Sequence, residues 1–216
     1  MSLNMPFIIT ISRQLGCGGA LIGEALAKHF GISYADREII SETAQKFSMH
    51  EKDLYQRDEK IITAWQSFLQ SITRCPDRVE HRPLPPTDKE LFKAEKEVIE
   101  RLATERSAVI MGRCGSYILR NHPLHVGLFL YAGMEYRIKR LCADCNVSES
   151  RAQKMIEESD KKRSDYFHQF TGKMWTDATQ YDLTLRTDIL GPERTLERLI
   201  MLAQEVLTHK EAKIIV

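Results

Sequence analysis

The sequence predicts an α/β protein whose mainly parallel, five-stranded sheet is flanked by helices. Five short apolar runs have the composition of buried strands, and helical patterns alternate with them along the chain. This alternation is typical of parallel sheets, because each parallel connection crosses over through a helix. With 216 residues, 43% of them hydrophobic and 28% charged, the chain is long enough for a single domain over 1–216.

The first two predicted strands lie in the N-terminal part of the chain. Phe7–Ile11 is the first, and the helical pattern Leu21–Phe30 follows it, with Gly31 placed to end that helix. The next apolar run predicts a strand that ends at Asp36, before a helix that continues to about Lys46. This part therefore supplies two strand–helix units.

A helical segment and a long loop interrupt the alternation. From His50 to Thr73 the pattern is helical and amphipathic, whereas Arg74–Thr87 contains four prolines and is predicted to be a surface loop. Asp88 is then expected to cap a helix that ends near Arg106.

Three further strands lie in the second half of the chain, within SAVIMG, HVGLFLYA and YDLTLRT. The third strand is expected to end at Gly112-Arg113 and to lead into a short helix. MEYRIKRLCADC has the pattern of a basic helix, and Ser148 is expected to cap another helix that runs to about Tyr166. Pro192 is expected to open the last helix.

Composition excludes several classes of function. A formal net charge of +1 argues against broad binding to nucleic acid or to an anionic membrane, so an anion site must be local. No apolar stretch approaches the ~20 residues of a membrane span, and the N-terminal run is too short for a signal peptide. The five scattered cysteines fit a cytoplasmic protein. The Cys142–Cys145 pair lacks a second ligand pair, so free thiols are favoured over zinc.

Polar clusters follow three of the predicted strands. SRQLGCGG follows the first strand, Asp36-Arg37 the second and GRCGS the third. Ligands of parallel sheets bind beyond the carboxyl ends of the strands, which share one edge. We therefore expect the three clusters to converge on one crevice.

The glycine-rich segment after the first strand predicts an anion site. Gly16, Gly18 and Gly19 allow backbone N–H groups to turn toward one point, at the positive end of the next helix. A tight turn without a ligand would explain the glycines equally well. Arg13 favours the anion site, because it can supply the charge of the lysine in the usual G-x-x-x-x-G-K-[ST] phosphate loop. On that template Gly19 and Ala20 take the lysine and the serine or threonine positions.

Arg113 and the Asp36-Arg37 pair are the other candidates at this edge. A cation at the end of a buried strand needs either a carboxylate partner or an anionic ligand, and we favour the ligand for Arg113. Asp36 and Arg37 could position a substrate hydroxyl or phosphate, or cap the helix that follows.

Two basic helices are candidate sources of further cations. Arg137 and Arg140 follow the fourth strand, and Arg163 lies in the next helix, whereas Lys139 and Lys161 are expected on solvated faces. Phosphoryl transfer requires cations around the moving phosphate, and basic helices can supply them by closing as a lid.

Four ordered motifs carry a family resemblance: ITISRQLGCGGALIGEALAKHFGISYADREII, AVIMGRCGSYILRNHP, FLYAGMEYRIKRL and SDKKRSDYFHQFTGKMWTDATQYDLTLRTDILG. Together, from Phe7 to about Leu207, they resemble the cytidylate kinase-like family of bacterial P-loop proteins. The resemblance implies a P-loop NTPase fold of the nucleoside monophosphate kinase type. It also implies a monophosphate-binding helical insertion at about 48–88, a lid at about 140–178, ATP as donor, Mg²⁺ as cofactor and nucleotides as substrates.

The resemblance also implies roles for individual residues. The donor phosphates would lie on the phosphate loop, at Ser12, Arg13, Gly16, Cys17, Gly18 and Gly19. The acceptor would be bound by Asp36, Arg37 and Arg113. The transferring group would be surrounded by Arg13, Arg137, Arg140 and Arg163, and Asp160 lies in the same lid motif as Arg163. Mg²⁺ would be held largely by water and donor phosphates, with Asp36 as its protein ligand.

The chain departs from true cytidylate kinases at three positions: Gly19 and Ala20 replace lysine and serine or threonine, and Cys114 replaces an aspartate. Our leading hypothesis is ATP-dependent phosphoryl transfer to a nucleoside monophosphate, with CMP or dCMP the first candidates. The loop departures leave open a non-catalytic nucleotide-binding regulatory module. Cys114 leaves open a kinase of another small metabolite.

Three apolar residues of the helical segment from His50 to Thr73 are candidates for a contact between two copies of the chain. They are Trp65, Phe68 and Ile72, which could bury a homodimer contact or pack within the insertion.

Overall fold

The computed structural model describes residues 5–46 and 87–215. The amphipathic stretch from His50 to Thr73, with Trp65, Phe68 and Ile72 and the predicted homodimer contact, lies outside the described residues. The same holds for the predicted loop, apart from Thr87, and for the insertion apart from its last two residues.

The described strands form one five-stranded sheet in the order β2-β3-β1-β4-β5, with every neighbouring pair parallel. The strands are β1 Ile8–Arg13, β2 Ser33–Ala35, β3 Ala108–Met111, β4 His125–Tyr131 and β5 Leu183–Arg186. The predicted fold class and all five predicted strands are confirmed. The first strand extends past Ile11, because Ser12 and Arg13 continue the ladder with β4.

Burial on both faces explains why the central strands β1, β3 and β4 are largely apolar. In β1, Ile9 and Ile11 contribute to one core cluster, whereas Ile8 contributes to the other. In β3, Val109 and Ile110 divide between the two clusters in the same way. Successive side chains of a strand point to opposite faces, so a sheet covered on both sides requires apolar residues in an unbroken run.

Helices connect the strands and cover both faces of the sheet. They are α1 Gly19–Phe30, α2 Arg37–Lys46, α3 Asp88–Glu105, α4 Gly115–Ile118, α5 Met134–Cys145, α6 Glu149–Thr171 and α7 Thr187–Ile215, with a 3-10 turn at Ala178–Gln180. Among the described residues, none of these helices combines the length and the apolar composition needed to cross a membrane.

Helix ends agree with most of the predicted caps. Gly31 ends α1 with a φ of 64°, and Ser148 caps α6 by accepting a hydrogen bond from the Arg151 N–H. The prediction that Asp88 caps α3 is wrong by one residue. Thr87 is the cap: its side chain accepts from the Glu90 N–H, and the Glu90 side chain accepts from the Thr87 N–H in return.

Two C-terminal helices differ in extent from the prediction. α6 continues to Thr171, past the expected end at Tyr166, and Gly172 ends it with a φ of 67°. α7 begins at Thr187, but Gly191 is non-helical, so Pro192 opens its longer second part. The predicted start of the last helix is therefore the point at which α7 bends.

Candidate functional site

The carboxyl ends of β1, β2 and β3 bring the three predicted clusters together. The Arg13 guanidinium, at the end of β1, lies 4.0 Å from the Asp36 carboxylate, which follows β2. It also lies against Gly112, which follows β3: a Cβ built on Gly112 would be 2.6 Å from Arg13 Nη1. Arg37 is the first residue of α2, directly after Asp36. The three predicted clusters therefore meet at one edge of the sheet, through Arg13, Asp36 and Gly112.

The backbone of residues 12–19, hereafter the 12–19 loop, turns sharply into α1. Gly16 and Gly18 have φ of 81° and 85°, the left-handed region that favours glycine. Gly18 is the N-cap of α1, and no side chain caps the helix. An uncapped helix N-terminus that begins in a glycine turn presents backbone N–H groups suited to an anion.

Close packing is a second reason for the glycines of the loop. A Cβ built on Gly18 would lie 2.6 Å from Arg140 Nη1, and one on Gly19 would lie 2.8 Å from Arg13 Cβ. The guanidinium of Arg140 thus rests on the loop backbone, and the stem of Arg13 occupies the space beside Gly19. Larger side chains at these positions would displace the two arginines.

Cys17 connects the loop to β4 and α7 through hydrogen bonds. Its thiol is buried and donates to the Leu130 carbonyl at 3.5 Å, and its carbonyl accepts from Thr187 Oγ1 at 2.7 Å. Burial raises the pKa of the thiol, so it stays protonated. Ser12 is buried as well, and its side chain hydrogen-bonds the Tyr181 phenol.

Arg137 is buried and bonded to the loop. Its Nε donates to the Leu15 carbonyl at 2.7 Å, and its Nη2 donates to Asp160 Oδ2 at 2.5 Å. Asp160 Oδ1 accepts from the Leu15 N–H at 3.1 Å, so the pair holds this residue's backbone through both polar groups. The sequence predicts Arg137 around the transferring group, and in the structure its hydrogen bonds go to the Leu15 carbonyl and to Asp160.

Arg163 and Arg140 occupy different positions relative to the loop. Arg163 Nη1 donates to the backbone carbonyl of Arg13 at 2.7 Å. Arg140 pairs with Asp144 on its own helix at 3.4 Å and contacts Gly18. Helices α5 and α6, which carry these arginines, are therefore bonded directly to the 12–19 loop.

Arg113 has the carboxylate partner that the sequence analysis disfavoured. Its Nη1 donates to Glu95 Oε1 at 2.6 Å, and the exposed fractions of the two side chains are 9% and 2%. The carboxylate partner, one of the two alternatives that the sequence left open, is present because α3 carries Glu95 to the end of β3. The signal in the sequence was an ionisable residue within the buried face of a predicted helix, beside Leu91 and Ile99.

The backbone that carries Arg113 has an unusual conformation. Gly112, Arg113 and Cys114 have φ of 70°, 54° and 54°, three successive left-handed residues, two of which are not glycine. Strained conformations of this kind persist where the surroundings impose them, and they cluster at functional sites.

Buried polar groups surround Arg113. Tyr166 Oη donates to Glu95 Oε2 at 2.6 Å. Burial raises the pKa of the Glu95 carboxyl, and the hydrogen bond from Tyr166 acts in the opposite direction. Burial, reinforced by the charge of Glu95, raises the pKa of the Cys114 thiol to about 12. The thiol at the family's aspartate position is therefore protonated at neutral pH.

The acidic groups of the described residues set a limit on metal binding. No group of three or more histidine, cysteine, aspartate or glutamate side chains in 5–46 and 87–215 could hold a metal ion by itself. Asp36 lies at the crevice, and Ala20 provides no hydroxyl. Magnesium in kinases typically keeps several waters and binds one or two carboxylates together with substrate phosphates. A carboxylate at the crevice, that of Asp36, is compatible with an ion of that kind.

Comparisons with known proteins agree with this fold. Over 187 residues, which are 86% of this chain and 89% of the relative, the chain is 23% identical to a cytidylate kinase from Sulfurisphaera tokodaii. An uncharacterised protein from Eubacterium ventriosum superposes with a TM-score of 0.67 at 22% identity, covering 92% of this chain and 98% of that one. A shikimate kinase from Bacteroides thetaiotaomicron superposes with a TM-score of 0.54 at 13% identity, with the same coverage.

The fold is thus that of the P-loop kinases, with a parallel five-stranded sheet flanked by helices. The family model described as the cytidylate kinase-like family matches residues 8–189, from the first residue of β1 to the start of α7. The chain belongs to the cytidylate kinase-like family.

Proposed function

We propose that this protein transfers a phosphoryl group from ATP to a nucleoside monophosphate, with CMP or dCMP the first candidates. In this proposal the whole chain is one kinase domain, with an insertion at about 48–88 and a lid at about 140–178, and the protein is cytoplasmic. The observation that carries it is the uncapped N-terminus of α1 behind Gly16 and Gly18, with the side chains of Arg13 and Arg140 packed against Gly19 and Gly18.

The donor phosphates would lie on the backbone N–H groups of Gly16–Gly19. The lysine position of the usual loop is Gly19, where a side chain would collide with Arg13. Arg13 and the loop lysine are therefore alternatives for one space, which supports the proposal that Arg13 supplies the missing charge. Arg140, which rests on Gly18, would supply a second positive charge as charge spreads over the phosphoryl oxygens.

The remaining arginines would bind the acceptor or keep the loop in shape. Arg113 would bind the acceptor phosphate at the end of β3. Arg137 and Arg163 would keep the loop in its shape through the carbonyls of Leu15 and Arg13. Bound Mg²⁺, held by Asp36 together with donor phosphates and water, would supply charge neutralisation between the phosphates. No general base is required, because a phosphate acceptor is already a nucleophile and positioning contributes most of the rate.

Exposed apolar side chains beside the loop support a place for the base of the donor. Met134, Ile189 and Leu190 are exposed. Met134 follows Gly133, and Ile189 and Leu190 follow Asp188. Gly133 and Asp188 lie against each other, and Thr187, directly before Asp188, contacts Cys17 of the loop. Apolar surface next to a phosphate site suits the face of a nucleotide base.

A coupled assay with ATP, Mg²⁺ and each nucleoside monophosphate tests the proposal. We expect turnover, with CMP or dCMP preferred. ATP binding without turnover of any monophosphate would instead support the non-catalytic module, and turnover of a different metabolite in a product screen would support the third alternative.

A further inference from the structure

Glu95 uses both of its carboxylate oxygens inside the protein. Oε1 accepts from Arg113 at 2.6 Å and Oε2 accepts from Tyr166 at 2.6 Å, and the side chain is 2% exposed. Charge-assisted hydrogen bonds of this length are among the stronger and more directional contacts in proteins. The carboxylate therefore fixes the orientation of the guanidinium.

Stability alone does not account for an acid at this position. The other buried residues of α3 are apolar, namely Leu91, Ala94, Val98, Ile99, Leu102 and Ala103. Replacing a buried ion pair with well-packed apolar groups is often neutral or stabilising, so a buried pair is weak evidence of a stabilising role. The strained backbone at Arg113 points in the same direction, because strain of this kind is typical of functional sites.

Tyr166 connects this carboxylate to the helix that is bonded to the 12–19 loop. It lies on α6, one turn beyond Arg163, which donates to the carbonyl of Arg13. A continuous set of hydrogen bonds and one helix turn thus runs from the loop through Tyr166 and Glu95 to Arg113.

We propose that Glu95 is a positioning residue of the acceptor site, which fixes the Arg113 guanidinium and is itself fixed by Tyr166. The inference rests on the proposed function, in which Arg113 binds the acceptor phosphate. Glu95 lies 18 residues from Arg113 in the sequence and acts through it, without contact with the reacting atoms.

Steady-state kinetics of Glu95→Gln and Tyr166→Phe test this role, with acceptor and ATP varied separately. We expect Glu95→Gln to raise the acceptor KM about tenfold, since a charged hydrogen bond becomes a neutral one, and to leave the ATP KM within about twofold. Tyr166→Phe should raise the acceptor KM about threefold. Glu100→Gln is the matched control, because it changes an exposed glutamate of the same helix, and it should alter neither constant.

An unchanged acceptor KM in Glu95→Gln, or an equal rise in both constants, would overturn the inference while the proposed function stands. If Glu95→Gln does not fold, Tyr166→Phe decides in the same way. Absence of transfer by the wild type with every monophosphate would overturn the proposed function. Calorimetry with CMP then judges the inference: weaker binding by Glu95→Gln than by the wild type supports it, and equal or undetectable binding by both overturns it.

Discussion

Removing the Arg137 guanidinium tests whether α5 and α6 hold the 12–19 loop in shape. Arg137→Met keeps much of the volume of the side chain but removes its donors to the Leu15 carbonyl and to Asp160. The Asp160 carboxylate keeps its bond from the Leu15 N–H and loses its cation. Both the stability of the fold and the affinity for ATP should fall, because the loop loses its bond from Arg137 to the Leu15 carbonyl.

The size of the effect follows from burial. Breaking a fully buried ion pair by removing one partner costs about 3–5 kcal/mol. The two side chains here are 4% and 19% exposed, so water compensates part of the loss on Asp160. We expect a loss of about 2–3 kcal/mol in the free energy of unfolding. For a chain of this size that corresponds to a decrease of about 4–12 °C in Tm.

Urea unfolding and calorimetric titration with ATP are the assays. Lys161→Met is the matched control, because Lys161, which follows Asp160 on α6, pairs with Asp165 at 3.1 Å on the exposed side of that helix. An exposed pair of this kind contributes less than about 0.5 kcal/mol. If Arg137→Met costs no more stability than Lys161→Met and leaves the ATP affinity unchanged, Arg137 does not support the loop.

Three further predictions concern other parts of the fold. Burial lowers the pKa of His125 to about 4 in the folded protein, whereas the unfolded chain keeps the usual value of about 6.5. As the pH falls between these two values, the unfolded chain takes up a proton that the folded protein does not, so the free energy of unfolding decreases. Urea unfolding should show the wild type losing about 3 kcal/mol more than His125→Gln between pH 6.5 and pH 4; equal losses would refute this. Gly18→Ala should lower both the stability and the ATP affinity, because the φ of Gly18 is 85° and Arg140 is adjacent. Gly31→Ala should lower the stability alone, because Gly31 has a φ of 64° but lies in open space. Equal ATP affinities in the two variants would contradict this prediction. Thr87→Ala should cost about 1 kcal/mol in thermal unfolding through loss of the α3 cap, and no change in Tm would exclude that role.

The fold could be predicted from the sequence because its strands are buried on both faces. Continuous apolar runs such as that of β3 are distinctive, and the helices between them leave few alternatives to a parallel sheet. Within residues 5–46 and 87–215, the errors lie at the ends of elements. The end of α6 at Thr171 is set locally by Gly172, whereas the start of α7 at Thr187 involves a contact with a distant residue, the bond from Thr187 to Cys17. Such contacts leave no periodic signal in the sequence.

The edge of the sheet at which the candidate site lies could also be predicted, because the carboxyl ends of parallel strands coincide. The partners of the arginines could not, since Arg137 and Arg163 contact the loop across 122 and 150 residues of sequence. On the template of the usual phosphate loop, Gly19 takes the position of the lysine. The structure adds that Arg13 already occupies the space beside it, which only the packing of β1 against α1 reveals.

Comparison of Arg140→Met with Lys139→Met tests most directly the claim that arginines around a lysine-free loop support phosphoryl transfer. Arg140 contacts the loop at Gly18, whereas Lys139 is its exposed neighbour on the same helix. Measured as kcat with saturating ATP and the preferred monophosphate, Arg140→Met should fall about 100-fold, the usual cost of losing one stabilising donor in the transition state. Lys139→Met should retain the wild-type kcat. Equal kcat in the two variants would contradict the account.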